Sequence, residues 1–276
     1  MNYKQLKILA VLCMVFDHVV RIFPLYRMFV PLADWLWSSG HDAAADWLLD
    51  GLTSWLMLIG RLAAPIFLFC IAQGLLRTHD AKGYFRRILL TALAAQVPYA
   101  LFDLAERRLY GMTEAWAWRE VGLNICFTLA LGLAALAVYR RLAERGHPLA
   151  WAPVCAAATL LAFLLHMEGG KGYILLIFTF YLTRNRPRWQ RALWFIPAVI
   201  LSRWGLVQWM LEDFTAGPIR NCLLNVGGNY LGMLVSLAYN GEKGDAGRGF
   251  QRFMYAFYPA HFALLALIGF LRPPLV

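Results

Sequence analysis

An aspartate, a histidine and an arginine interrupt an otherwise apolar run near the start of the chain, Met14-Val-Phe-Asp17-His18-Val-Val-Arg21. Asp17 and Arg21 are four residues apart, so on a helix they share a face and can pair. His18 is turned about 100° from Asp17 by the 3.6-residue repeat. An imidazole takes and gives a proton near neutral pH, and an acid from Asp17 or another helix can orient it. A second interruption is Ile59-Gly60-Arg61-Leu-Ala-Ala-Pro65, with small residues on either side of a single cation. A third is Tyr84-Phe-Arg86-Arg87, two adjacent cations that suit a phosphate-rich ligand or simply fix topology. Weaker signals are Asn124 with Thr128, one turn apart, and Tyr258-Pro259-Ala-His261. Polar pairs such as Asn124 and Thr128 are more often hydrogen bonds between helices. His166 and Glu168 fall at a helix end where solvation is cheap. No Ser/His/Asp constellation, phosphate-binding glycine loop or dinucleotide fingerprint occurs.

The elements that carry these residues are apolar to an extent no water-soluble domain matches. Of 276 residues, 61% are hydrophobic and 15% charged, against about 45–50% and a quarter in soluble domains. Such a surface needs lipid as its solvent. The expected fold is all-α, a polytopic membrane helix bundle. Nine spans are predicted, over 6–24, 52–76, 85–103, 121–140, 149–166, 171–183, 191–210, 221–239 and 253–271. The shortest, 171–183, is the weakest of them. An ionisable group inside a span costs a few kcal/mol, so each marks a functional hypothesis beside the alternative of an ion pair that fixes packing.

The net charge of +10 resides in short basic clusters between apolar runs, which argues against a nucleic-acid partner. With the N-terminus and alternate loops cytoplasmic, the inner side holds 16 Lys/Arg against 4 acids, and the outer side 8 against 11. The pattern follows the positive-inside rule and places the C-terminus outside. In that arrangement Arg61 lies about nine residues, or some 14 Å, from the outer end of its helix. Asp17 and His18 reach a similar depth, so the three can meet. Outer loops 25–51 and 104–120 carry Trp35, Trp37, Trp47, Trp116 and Trp118. They are expected to lie on the membrane as interfacial anchors or to cover a partner site. Lys4 and Lys7 ahead of Ile8 to Phe16 mimic a signal peptide, but no small-x-small cleavage site follows, and the segment is expected to stay as the first helix. Cys13, Cys70, Cys126, Cys155 and Cys222 sit in apolar segments with no metal-ligand spacing, so free thiols, no disulfide and no metal are expected.

Taken in order, these residues resemble the TraX family of conjugative-pilin N-acetyltransferases and related fimbrial accessory proteins. The resemblance rests on Leu6-Lys7 through Met14-x-x-Asp17-His18, Gly60-Arg-Leu-Ala-Ala-Pro-Ile-Phe67, Gln73-Gly74 with Arg77-Thr78, and Tyr84-x-Arg86-Arg87. It continues with Gln96-Val-Pro98-Tyr99, Leu123-Asn124-x-x-Phe127-Thr128-Leu129-x-x-Gly132, Tyr239-Asn240-Gly241 and Phe257-Tyr258-Pro259-x-His261. Where the family often has Asp-Tyr-Gly before the sixth span, this chain reads Glu168-Gly169-Gly170.

The resemblance implies one transmembrane acyltransferase-like domain over 1–276, in a bacterial inner membrane. It implies acetyl-CoA as co-substrate, and a pilin or other amine or hydroxyl acceptor at the outer face. His18 matches the histidine of the first helix in the wider transmembrane acyltransferases, with Asp17 beside it. Arg61, Arg86 and Arg87 match the basic positions that engage the donor. Arg61 or Asn124, with Thr128 nearby, would meet the oxyanion, and Tyr258 and His261 are additional candidates. Transfer can run directly or through an acetyl-histidine. A non-catalytic pilus assembly factor and a transporter are the competing readings; inverted repeats and a through-path would mark the latter.

Overall fold

The computed structural model describes residues 1–113, 116–245 and 247–275. Glu114 and Ala115, inside the predicted outer loop 104–120, lie outside the described residues. The described chain is α-helical, with a single isolated bridge between Leu123 and Met167 and no strand.

Helix α1 spans Tyr3–Ile22 and starts on a reciprocal cap. Asn2 Oδ1 accepts from the Gln5 N–H, and Gln5 Oε1 accepts from the Asn2 N–H, both at 2.9 Å. Helix α2 (Tyr26–Ser38) bends away from α1 by 61°. The long α3 (Asp42–Arg77) includes a π-helical stretch at Trp47–Leu52. Next come α4 (Ala81–Leu109), capped by Asp80, and α5 (Ile125–Glu144), capped by Asn124. Helix α6 is Pro148–Leu164 and α7 is Tyr173–Leu182. Helices α8 (Arg188–Ser202) and α9 (Trp204–Glu212) meet at a 70° bend on Arg203. Helix α10 runs through Ala216–Cys222, a π turn Leu223–Gly227 and Gly228–Val235. The last helix, α11 (Arg248–Leu271), lies along α4 as the most extensive helix pair.

All nine predicted spans overlap helix, but not all are whole spans. Among the described residues four helices, α3, α4, α5 and α11, are long and apolar enough to cross a membrane. The number rises to six if each bent pair, α1 with α2 and α8 with α9, is one span. Helix α7, the predicted 171–183, has only ten residues. About 15 Å of helix is half the hydrocarbon core of a bilayer. The predicted 191–210 is the broken pair, and 221–239 includes the π turn.

The core joins α1, α3, α4, α5, α7, α8 and α11 around Phe69, Phe178, Phe180, Phe195 and Phe262, all fully buried. Leu90, Leu93, Val97, Leu264 and Leu267 are more than half exposed, so α4 and α11 are apolar on their outward faces too. Helices apolar on every side belong in lipid. A small satellite core of Ala33, Ala45 and Leu48 ties α2 to the start of α3, leaving Trp35, Trp37 and Trp47 exposed. The predicted loop 25–51 is therefore largely helical, with its indoles outward. All five cysteines are buried free thiols.

Candidate active site

A cavity of about 180 Å³ runs along α1. On its wall α1 presents Lys7, Val11, Met14, Asp17, His18 and Arg21. These positions recur at three- and four-residue spacing, so one helix face lines the cavity for roughly 21 Å. The opposite walls come from α3, α4, α5 and α11.

The first two sequence clusters converge. Asp17 Oδ1 accepts from Arg61 Nη1 at 3.2 Å, and Asp17 Oδ2 from Arg21 Nη2 at 3.5 Å. Arg21 reaches on to Glu106 Oε2, also at 3.5 Å. This meeting of α1 and α3 depends on Gly60. A methyl there would stand 2.6 Å from Asp17 Cβ and closer still to the carboxylate. Gly228 on α10 serves Arg61 in the same way, its missing Cβ lying 2.6 Å from the arginine Cβ.

His18 is oriented by a different partner from the one expected. Asp17 is occupied by two guanidinium groups, and His18 Nδ1 lies 3.0 Å from His261 Nε2. His261 Nδ1 in turn faces the Phe257 carbonyl one helical turn back, at 3.2 Å. A carbonyl only accepts, so His261 Nδ1 carries a proton and its Nε2 is an acceptor. His18 therefore donates from Nδ1, which leaves its own Nε2 as the basic nitrogen. The imidazole pair stacks at 5.1 Å between ring centroids, and Phe102 and Phe262 close around His18.

Asn124 and Thr128 do other work. The Asn124 amide nitrogen donates to Ala92 O at 2.8 Å and Gln96 Oε1 at 2.9 Å, and its oxygen caps α5 at the Cys126 N–H. Thr128 donates to the Glu168 carbonyl at 2.7 Å. Asn124 holds the α5 start against α4, and Thr128 holds it against the connection between α6 and α7. Arg86 and Arg87 are exposed, and α4 lines the cavity with Tyr84, Ile88 and Thr91 instead. Tyr258 lines the cavity, its hydroxyl near the Cys126 thiol and the Ile125 backbone but without a close hydrogen bond. Among the described residues no group of three or more His, Cys, Asp or Glu is placed to hold a metal ion.

Two cavity residues escape sequence reasoning. Glu168 sits in the connection between α6 and α7, outside any spanning helix. The Leu123–Met167 bridge turns it inward, and its Oε2 accepts from the Ile125 N–H at 3.1 Å. Burial pushes this carboxyl above its ordinary range, with Arg21 pulling the other way. Arg203 stands at the α8–α9 bend, which aims it at the cavity. It donates to Tyr173 Oη at 3.0 Å and, with the Asn229 amide oxygen facing it, to Asn229 at 2.8 and 3.1 Å. The available signal for Glu168 was its place in the departed Glu168-Gly169-Gly170 motif.

Chemically the arrangement offers an imidazole base with a fixed tautomer, beside guanidinium and phenol donors, at one end of a narrow apolar channel. That set can remove a proton and stabilise a developing oxyanion.

The sequence profile of the TraX protein family matches residues 2–269 of this chain. Over 270 residues the chain is 27% identical to the probable fimbrial assembly protein FimC, serogroup H1, of Dichelobacter nodosus, an alignment that covers 95% of this chain and 93% of that protein. No solved structure matches the chain.

Proposed function

The chain belongs to the TraX family, and from that premise we propose that it is a membrane-embedded acetyltransferase. It moves an acetyl group from cytosolic acetyl-CoA to the N-terminal amine of a pilin subunit at the outer face. The observation that carries this reading is the His18–His261 pair at 3.0 Å, with His18 on the wall of a cavity that also takes Arg61 and Tyr258.

The protein lies in the bacterial inner membrane with its N-terminus inside and its C-terminus outside, the nine apolar stretches including the half-length α7 and the broken α8–α9 pair. The Lys7 and Tyr84 end of the cavity then faces the cytosol. A Gly40→Cys variant in a Cys-free background should react with a membrane-impermeant thiol reagent in intact cells; reaction only after permeabilisation would reverse the orientation.

At about 180 Å³ the cavity is smaller than the roughly 300–1,000 Å³ of drug-sized pockets. It suits the acetyl thioester and its extended arm, with the donor's phosphates left outside against Arg86 and Arg87. His18 Nε2 removes a proton from the acceptor amine. The amine nitrogen attacks the thioester carbonyl carbon, and the oxyanion is met by Arg61, since both donors of Asn124 are already used. The C–S bond then breaks, and the CoA thiolate leaves and takes up a proton. His261 holds His18 in the productive tautomer and shares the charge that His18 gains.

Intact mass of pilin from cells with and without the protein tests this reading. One acetyl group should be present in the first case and missing in the second. A second reading, a non-catalytic assembly factor, is favoured by the name of the Dichelobacter relative. Under it, pilin mass would be the same in both cells while assembled pili are lost.

A further inference from the structure

We propose that Glu168 and Tyr258 form the acceptor subsite, which selects a primary amine over a hydroxyl by binding it as an ammonium ion. The proposal rests on the acetyl-transfer reading above and names the feature of the substrate that this part of the cavity recognises.

The charged groups on the cavity wall are not equivalent. Asp17 is held by Arg61 and Arg21, and Arg21 also takes Glu106. Arg203 is satisfied by Tyr173 and Asn229. Glu168 differs, because among the described residues no cation forms an ion pair with it. Its one recorded side-chain bond is from the Ile125 N–H to Oε2. Yet it is rigidly placed. The Glu168 N–H donates to Leu123 O at 2.8 Å, its carbonyl accepts from Thr128, and Gln96 and Asn124 brace the facing strand of chain. A largely buried carboxylate held this firmly, with Arg21 and Arg203 near it but neither bonded to it, is a site that a further cation can complete.

A second observation is independent of the first. Tyr258 is buried, lines the same cavity and lies within electrostatic reach of Glu168. Its hydroxyl makes no close hydrogen bond, and its nearest polar neighbours are the Cys126 thiol and the Ile125 backbone. Buried hydroxyls are normally well bonded, so one with only these loose neighbours on a cavity wall has room to take a ligand's donor. Its ring centroid is 5.5 Å from that of His261, which bonds His18, so the phenol adjoins the imidazole pair as well as the Glu168 side of the cavity.

An ammonium group fits this geometry. It offers three N–H donors and a positive charge, where a hydroxyl offers one neutral donor. One N–H can go to Glu168, one to the Tyr258 oxygen, and one faces the base. Transfer of that proton to His18 Nε2 leaves a neutral amine whose lone pair attacks the thioester carbonyl. The C–S bond breaks, the second N–H proton goes to the departing thiolate, and the products are the acetamide and the free thiol.

The test uses the full chain in lipid nanodiscs and, as probe, an alanine pentapeptide amide with a free amino terminus, beside its desamino counterpart. Binding is read by calorimetry. Wild type should prefer the free amine. Glu168→Gln keeps the acceptor for the Ile125 N–H but removes the charge, and should weaken amine binding by at least about tenfold while leaving the desamino peptide unchanged. Tyr258→Phe keeps the ring, and should weaken amine binding by about threefold or more even if the Gln variant fails to fold. Equal binding of both peptides by wild type overturns the proposal, as does unchanged amine affinity in either folded variant. If the amine preference exists and is lost on substitution, but no acetyl group ever reaches the peptide, the subsite stands and the acetyl-transfer reading fails.

Discussion

The two ends of the central cavity are built from different chemistry. At one end Lys7 lies over the Tyr3 ring at 4.7 Å, Tyr3 donates to the Cys70 carbonyl at 2.9 Å, and Tyr84 packs where Gly74 leaves room. Phenols, a thiol and a lone ammonium give a soft, aromatic channel. At the other end three arginines and three carboxylates lie near two imidazoles, each cation is bonded, and Asp17 and Arg61 pack where Gly60 and Gly228 lack a Cβ. Fixed charges in a low-dielectric setting keep their orientation without reorganisation, which is what transition-state stabilisation needs. The soft end suits passage of a flexible arm, and the charged end suits chemistry. Each of the following changes breaks or sharpens that contrast.

The largest effect should come from His18→Gln. It removes the basic nitrogen but keeps a hydrogen-bonding group toward His261. Acetyl transfer should fall by about 10²–10⁴, with acetyl-CoA affinity and monodispersity near wild type. His261→Gln should cost less, because His18 remains and Gln still offers an acceptor to its Nδ1–H. Turnover in single-cycle assays checks both. If His18→Gln retains most of its rate, the charged end is a structural ion-pair cluster and the base must be sought elsewhere.

Gly60→Ala should be next. Its methyl would meet Asp17, on the rigid side of the contrast, so α1 and α3 must part or Asp17 must leave Arg61. Overpacking of this kind costs about 1–3 kcal/mol. Melting in detergent should register it, with transfer reduced in parallel. Gly205→Ala in α9 is the control, since no heavy atom lies within 4 Å of its missing Cβ. It should melt at or slightly above the wild-type temperature. Equal melting of the two variants would mean that α1 and α3 have slack at Asp17.

The parts of this site that were legible in the sequence share one property. Asp17, His18 and Arg61 are ionisable groups in the middle of apolar runs, and their cost there announces a role. Asn124 and Thr128 gave the same signal, but a polar group inside a bundle can equally be a brace, and sequence alone does not separate the two outcomes. Glu168 was hidden because it lies at a helix end, where a charge usually meets water, and Arg203, though inside the predicted span 191–210, because the break that makes it face the cavity does not show in the hydropathy. Only the Leu123–Met167 bridge and the 70° bend at Arg203 turn them inward. Both features are set by tertiary contacts rather than by local pattern. The same holds for the span count. Hydropathy finds apolar stretches, but it does not see that 171–183 yields ten helical residues or that a π turn interrupts α10.

The smallest effect should be at the soft end, outside the cavity proper. Arg86 and Arg87 are exposed on α4, between the cavity residues Tyr84 and Ile88 in sequence but turned away from the cavity. An exposed cation attracts a polyanionic donor through solvent, so each contact contributes little and is screened by salt. Arg86→Ala with Arg87→Ala should therefore raise the KM for acetyl-CoA by about three- to tenfold, and by less at high ionic strength. The rate at saturating donor should stay near wild type, because neither group touches the thioester. This split separates a donor-docking role from a topological one. Loss of correct insertion would lower the amount of active protein and so the maximal rate, leaving KM alone. An unchanged KM at low salt would assign the pair to topology and leave Lys7, the cation on the cavity wall, to meet the donor at that end.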